Sequence, residues 1–243
     1  PIADANGRVI GFGGRIFESG IRNQESGKTE AKYINTPQTL IYDKSRVLYG
    51  FDKAKQDIRA QNRVVLVEGY MDCVMSHQAG VKNTVAVSGT ALSAQQLKIL
   101  RRLSDTLVCS YDTDEAGDSA TKRSLALAAQ FEFDRRIALI PSGKDPADTV
   151  SESPEAWQKA VSEAKPVVEF YFEKALRDFN PLSADGKKSI SALLFPYIAE
   201  LASEIEKAHW VGQLAVRLGI PEEAIWRELR RAKKVTDYGQ ARN

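Results

Sequence analysis

The 243-residue sequence predicts an α/β protein: a parallel-sheet core with a partial α+β segment before it and a helical bundle after it. Three observations predict this. Between about residues 62 and 150, short apolar runs alternate with helix-length segments across brief loops, the pattern of successive βαβ units. The first 60 residues are rich in Gly, Asn, Thr and Tyr and lack that alternation. From about 151 onward the periodicity is helical throughout.

Each element has a local reason. "RVIGFGGRIF" reads as strand, bend, strand, and "KYINTPQTLIYDKSRVLYGF" is irregular, with turn signals at Asn35 and Pro37. "FDKAKQDIRAQN" is a short helix ending near Asn62. "RVVLVEG" is a continuous apolar run, as a strand buried on both faces requires. "MDCVMSHQAG" is a helix closed by Gly80, "NTVAVSG" a strand, and "SAQQLKILRRL" a helix capped by Ser93. "DTLVCSYD", "DSATKRSLALAAQF" and "DRRIALIP" continue as strand, helix, strand. Beyond them, Ser153 caps a helix with Pro154 at its first position, and "PVVEFYFEKALRDF" is the next helix. Ile190, Leu193, Leu194, Tyr197, Ile198, Leu201 and Ile205 form an apolar stripe that Pro196 is expected to kink or break. "WVGQLAVRLG" ends at Gly219, Pro221 opens the last helix, and after Lys234 a polar tail is expected.

Composition narrows the function classes. The chain is 43% hydrophobic and 27% charged with a formal net charge of +2, so bulk charge neither demands nor excludes a polyanionic partner. Its two cysteines, Cys73 and Cys109, have no metal-site spacing and read as small buried hydrophobes in a reducing compartment. No run approaches the roughly 18 apolar residues of a membrane span, and no signal peptide is evident. The sequence opens as though mid-domain, so an excised piece of a longer protein is expected. Two motif look-alikes fail. "SGKT" at Ser26–Thr29 has Arg22 where a phosphate-binding loop needs Gly, and "GFGGRI" has Ile16 where a dinucleotide fingerprint ends in Gly. His77 and His209 fall in predicted helices and read as packing or surface residues.

Carboxylates recur at strand ends. Glu68 follows the first core strand, Asp112 and Asp114 in "YDTDEAG" follow the third, and Asp145 and Asp148 in "GKDPADTV" follow the fourth. In an open parallel sheet these ends share one edge, where ligands bind. Five carboxylates on one rim repel unless a cation lies among them, and hard oxygen donors suit Mg²⁺ or Mn²⁺. Each set also has a plain structural reading: Asp114 as a helix cap, Asp145 before Pro146 as a turn former, and Glu68 before Gly69 as a surface loop. "SGTALS", Ser88–Ser93, lies on the same rim. It reads equally as a phosphate-binding turn or as a tight turn with a cap.

Strand–Glu–Gly followed by strand–Asp-x-Asp-x-x-Gly, over about residues 62–150, resembles the Toprim domain, with its Rossmann-like parallel sheet. That domain serves primases, topoisomerases and some nucleases. The phrases "FGGR", "KYINTP", "LYG", "EGYMD", "AVSGTAL", "SYDTDEAG" and "KAHWVGQLAVRLGIPEEAI" resemble the RNA polymerase core of DnaG-type bacterial primases, over nearly the whole chain. One departure is Ala147, which stands where that family's second acidic motif has its second Asp.

The resemblance implies a DNA-directed RNA polymerase that makes short RNA primers on single-stranded DNA from ribonucleoside triphosphates by nucleotidyl transfer. The alternatives are another Toprim enzyme, a topoisomerase or nuclease, or an inactive truncated piece that only binds single-stranded DNA. More than one Mg²⁺ or Mn²⁺ ion is implied. Asp112, Asp114, Asp145 and Asp148 would be ligands, and Glu68 a ligand or the general base, with Glu68, Asp112 and Asp114 catalytic. Arg15, Lys32, Tyr33, Asn35 and Lys44 match the family's groove for template and nucleotide. The implied domains are a basic partial N-terminal subdomain over 1–43, the Toprim catalytic domain over 44–165, a helical subdomain over 166–235 and a tail over 236–243. The family's zinc site and its contact with the replicative helicase, the latter through a C-terminal domain, are expected in parts absent from this chain. A bacterial cytoplasmic, nucleoid-associated protein that does not enter membranes is implied.

Overall fold

The computed structural model describes residues 1–15, 33–87, 91–110, 115–140 and 144–240, with backbone alone at Tyr33, 115–121 and 232–240. The chain opens with two small antiparallel pairs. β1 (Ile2–Ala3) pairs with β2 (Val9–Gly11), and β3 (Gly13–Arg15) pairs with β4 (Tyr33–Asn35). A loop then leads to α1 (Phe51–Gln61), which ends on Asn62 in the left-handed region. On the way, Tyr49 exchanges two backbone hydrogen bonds with Ala86, of 2.9 and 3.1 Å.

The core elements follow as β5 (Arg63–Val67), α2 (Tyr70–Gln78), β6 (Thr84–Ala86), α3 (Ala94–Arg101), β7 (Thr106–Cys109), α4 (Glu115–Ala129) and β8 (Asp134–Ile137). They form a sheet in the order β6-β5-β7-β8-β9, its first four strands parallel. Tyr49 pairs against β6, the edge strand at one end of this sheet, so that edge is partly covered.

The strands are apolar on both faces because helices cover both. Val64 and Leu66 of β5 face the layer of α1, α3 and α4, where Ile58, Leu97, Leu100 and Leu125 are fully buried. Their neighbours Val65 and Val67 point the other way, into a cluster with Cys73 of α2. That second face is completed by α5 (Pro146–Glu152) and α6 (Pro154–Ser162), which supplies the fully buried Trp157.

The remaining elements are β9 (Lys165–Pro166), α7 (Val167–Asp178), α8 (Ala184–Ala199), α9 (Glu204–Leu218) and α10 (Glu222–Gln240). Three sequence expectations change here. The helical region is interrupted by β9, an antiparallel edge strand on β8, where Pro166 is tolerated because an edge strand need not donate on both sides. α8 continues through Pro196, which stands in its last turn, so the missing N–H and the crowded carbonyl affect only the end of the helix. The last helix extends to Gln240, past the point where a tail was expected at 236.

The local signals hold: Ser93 and Ser153 each cap a helix, and Gly219 closes α9 at φ 60°; Ser183 and Ser203 cap α8 and α9 in the same way. Both cysteines are buried free thiols, and burial pushes each up to about 12. His77 meets the Thr84 carbonyl at 2.8 Å, and His209 packs edge-on against Trp210, so both histidines do structural work. No described helix is long and apolar enough to cross a membrane.

Candidate active site at the carboxyl edge of the sheet

The chain leaves β5 toward β6 on one side and leaves β7 toward β8 on the other, so β5 and β7 flank the point where the winding reverses. The helices after these two strands, α2 and α4, lie on opposite faces and leave a crevice at that point. Leu66 pairs with Cys109, and the ladder continues as Ser110 N–H donates to the Leu66 carbonyl at 3.1 Å. Glu68 therefore follows β5 directly beside the strand end that leads on to Asp112. Asp112 and Asp114 lie outside the described residues, as do Lys32 and the Ser88–Thr90 part of the rim loop.

Glu68 is half-buried, with its Oε1 withdrawn from solvent. The turn after it is fixed by Asp72, whose Oδ2 accepts from the Gly69 N–H at 2.9 Å. The other oxygen of Asp72 accepts from the Ala147 N–H at 3.3 Å. A single buried carboxylate thus joins the Glu68 turn to the helix that carries the second acidic motif. Its signal in the sequence is an acid three residues after the helix start at Gly69, the spacing of a capping box.

Asp145 caps α5, accepting from the Asp148 N–H at 2.6 Å, while the Asp148 side chain is exposed. At the departure, Ala147 brings no side-chain carboxylate, and its backbone N–H donates to Asp72 as that of any non-proline residue can. Among the described residues, no three His, Cys, Asp or Glu side chains form a group able to hold a metal ion, so Glu68, Asp145 and Asp148 make no such site by themselves. The donor types at this edge are all carboxylate oxygens, which fit Mg²⁺ or Mn²⁺ rather than a thiolate- or imidazole-bound metal.

The groove residues reach this edge by two attachments. The first runs through the β3–β4 hairpin. Arg15 is exposed on β3, and Asn35 on β4 accepts a hydrogen bond at Oδ1 from the Tyr70 hydroxyl at 2.9 Å. Tyr70 opens α2, immediately after Glu68 and Gly69. Its ring lies over Gly13, where a Cβ would stand 2.7 Å from Cε2, so only glycine fits. The side chain of Tyr33 is not among those described, and its backbone pairs with Arg15.

The second attachment holds the Lys44 loop. Gln96, fully buried, donates through Nε2 to the Lys44 carbonyl at 3.2 Å and the Val47 carbonyl at 2.7 Å. Ser93 donates to the Ser45 carbonyl at 2.5 Å and also accepts from the Gln96 N–H at 3.1 Å. The helix start after the rim loop thus anchors the segment that carries the half-buried Lys44. Tyr70, Asp72 and Gln96 were not singled out from sequence, because the bonds that join Tyr70 to Asn35, Asp72 to Ala147 and Gln96 to Val47 span 35 or more residues, beyond any local pattern, and Asp72 by itself reads as a simple cap.

A crevice at the reversal of a parallel sheet, with Glu-Gly after one flanking strand and Asp-x-Asp following the other in the sequence, is the pattern of a Toprim-class protein. A family model described as Toprim-like matches residues 65–150. Models described as the N-terminal domain of the DNA primase catalytic core and as the DnaB-helicase binding domain of primase match residues 1–55 and 168–223. A curated DNA primase from Clostridium acetobutylicum is 32% identical over 99% of the chain and 40% of its own length. Among solved structures, the Escherichia coli primase catalytic core is 35% identical, covers 91% of this chain and 69% of its own, and superposes with a TM-score of 0.72. A structure of the DnaG primase catalytic domain bound to single-stranded DNA is 34% identical, covers 92% of this chain and 69% of its own, and has a TM-score of 0.74.

The chain belongs to the DnaG-type DNA primase family. It spans about two fifths of the length of the curated relatives it matches. Contact with the helicase was expected through a C-terminal domain outside the chain, and the segment that matches the model described as helicase-binding lies within it, at 168–223.

Proposed function

We propose that this chain is the catalytic core of a DNA primase, a DNA-directed RNA polymerase that joins ribonucleotides into short primers on single-stranded DNA. The observation that carries the reading is the placement of Glu68 beside the β7 end that leads to Asp112, at the reversal of the sheet. The likeness to a primase catalytic domain bound to single-stranded DNA supports that choice of template.

In the proposed reaction a primer 3′-hydroxyl attacks the α-phosphate of a ribonucleoside triphosphate and pyrophosphate leaves. Asp112, Asp114 and Asp145 would hold the divalent ions, Mg²⁺ or Mn²⁺, with Asp148 at the exposed margin of the set. Bound there, the ions neutralise the triphosphate and stabilise charge developing on the transferred group. Glu68 either completes that set or takes the hydroxyl proton, and its half-buried place at the strand end is compatible with either role. Arg15, Lys32 and Lys44 offer charge to template phosphates or to the triphosphate, and Tyr33 a face for a base. Asn35 serves this groove through its amide nitrogen, since its oxygen already accepts from Tyr70. The working parts are taken as 1–43 for the groove, 44–165 for catalysis and 166–235 for the helical part. The match over 168–223 supports contact with the replicative helicase through the last of these. A cytoplasmic place beside the bacterial nucleoid fits this role.

The test is primer synthesis on single-stranded DNA by the full-length protein that carries this chain. Asp112→Ala is expected to abolish Mg²⁺- or Mn²⁺-dependent ribonucleotide incorporation, while normal synthesis by that variant would overturn the assignment.

A further inference from the structure

The β3–β4 hairpin has little to hold it in place by apolar burial. All three residues of β3 are exposed, and Ile34 of β4 is 62% exposed. Two three-residue strands are not stable as an independent unit. Its root is clamped locally: the Phe12 N–H donates to the Thr36 hydroxyl at 2.8 Å, and the Thr36 N–H donates to the Phe12 carbonyl at 2.9 Å. That clamp fixes the chain direction but does not set the hairpin against the sheet edge.

Tyr70 makes that connection. Its ring fills the space over Gly13, and its hydroxyl donates to Asn35, so it touches both strands of the hairpin at once. The hydroxyl is also hydrogen-bonded to that of Tyr42, a buried side chain whose pKa is raised by burial. Tyr49 meets the Tyr70 ring edge-on, with centroids 4.7 Å apart and planes at 77°. The backbone of Tyr70 is equally fixed, because the Gly69–Asp72–Ala147 bonds set the start of α2. Glu68 is two residues away on that same turn.

We propose that Tyr70 is a positioning residue that sets the template and nucleotide groove at a fixed distance from the carboxylate edge. This rests on the primase reading above. A tyrosine suits this role because it is rigid, has two main torsions, and spans from an apolar contact at its ring to a polar one at its tip. A reacting hydroxyl and phosphate lose much of their rate for a displacement of about 1 Å, so loosening the hairpin costs turnover rather than folding or metal affinity.

Three variants test this: Tyr70→Phe, which keeps the ring, Tyr70→Ala, which removes the whole tie, and Gly13→Ala, which pushes the ring away from the hairpin. In the full-length protein, kcat for primer synthesis is expected to fall roughly fivefold for Tyr70→Phe, which keeps the ring but loses the bond from the hydroxyl to Asn35. A fall of at least ~50-fold is expected for Tyr70→Ala, where contact and bond are both lost, with Phe recovering most of the Ala defect. Mn²⁺ affinity is expected to stay within about twofold of wild type in all three, since no proposed ligand is altered.

Amide hydrogen exchange at residues 13–15 and 33–35 reads the tie without reference to activity. It is expected to speed up in Tyr70→Ala and Gly13→Ala while the β5 and β7 amides stay protected. Unchanged exchange in the hairpin overturns the tie. Faster exchange with wild-type kcat overturns the positioning role. If Tyr70→Ala fails to fold, Tyr70→Phe and Gly13→Ala decide both points by the same two readouts. Absence of primer synthesis by the wild-type protein overturns the primase reading and the positioning role with it, while the exchange result still decides the tie.

Discussion

The two regions that flank the parallel sheet are attached to it by different physics. On the far side, the helices join the sheet through one apolar core. Tyr171 of α7 stacks on Tyr197 of α8 at 4.1 Å and 9°, and Ile190, Leu194, Ile198, Val211 and Leu214 are fully buried behind them. On the near side, much of the N-terminal segment stays out of that core: Phe12 is 64% exposed and Leu40 entirely so. Beside the packing of the Tyr70 ring on Gly13 and Tyr49, its contacts with the carboxyl edge are directional hydrogen bonds, from Tyr70 to Asn35, from Gln96 to Lys44 and Val47, and from Ser93 to Ser45. Apolar packing supplies stability without fixing an angle, whereas a set of hydrogen bonds fixes an angle with modest stability. The region with groove residues has the second kind of attachment.

That contrast can be broken first in the helices. Leu194→Ala is expected to lower the free energy of unfolding by about 2–5 kcal/mol in urea titration, as for other fully buried leucines. A loss under about 1 kcal/mol would mean the helices do not share the core of the sheet.

Next in size is the ion pair that joins β8 to the end of α8. Arg135 on β8 is buried and donates to Glu200, at the end of α8, at 2.5 Å and to the Leu125 carbonyl at 3.0 Å. Glu200 keeps 31% of its side chain in solvent, so Arg135→Met should cost about 1–3 kcal/mol, less than for a pair without water. Burial raises the Glu200 carboxyl above its usual value even with Arg135 beside it. In the variant the folded state favours the protonated acid more strongly still. The folded pKa is then above the unfolded one, so stability is retained at low pH and lost as pH rises through the folded value. The deficit relative to wild type should therefore shrink as the pH is lowered toward the ordinary carboxylate range, as thermal unfolding across pH would read. A deficit independent of pH would assign the cost to lost packing alone.

On the near side the expected losses of stability are smaller. Gln96→Ala removes both bonds to the Lys44 loop and half of a capping box, and about 1–2 kcal/mol is expected in urea titration, together with weaker nucleotide binding. Unaltered nucleotide binding would detach the Lys44 loop from the groove. Smallest in stability is Lys32→Ala, which should leave Tm unchanged but weaken single-stranded DNA binding and lower its salt slope by about one counterion. An unchanged slope in a salt titration would remove Lys32 from the phosphate contacts.

Much of this arrangement was legible in the sequence where the cause is local. Ser93, Ser153, Gly80, Gly219 and Asn62 mark element ends because a cap or a left-handed turn is decided within four residues. The unbroken apolar run of β5 announced a strand covered on both faces. What was not legible depends on distant partners. β9 exists because β8 offers a free edge, and nothing in "KP" encodes that. Pro196 reads as a break, yet it falls in the last turn, where the tertiary packing of Ile190, Leu194 and Ile198 decides. Asp145 reads as either ligand or turn former, and the geometry makes it a helix cap while leaving its other oxygen outside the cap bond.

The central claim is that the carboxylates after β5, β7 and β8 act as one metal-holding edge facing the groove. A crystal of the protein soaked in Mn²⁺ and a ribonucleoside triphosphate tests it most directly. Anomalous peaks are expected within coordinating distance of Asp112 and Asp114, with Asp145 or Glu68 completing the shell and the triphosphate bridging toward Lys44 and Arg15. Manganese bound elsewhere, with no peak within coordinating distance of Asp112 or Asp114 while nucleotide is present, would contradict it.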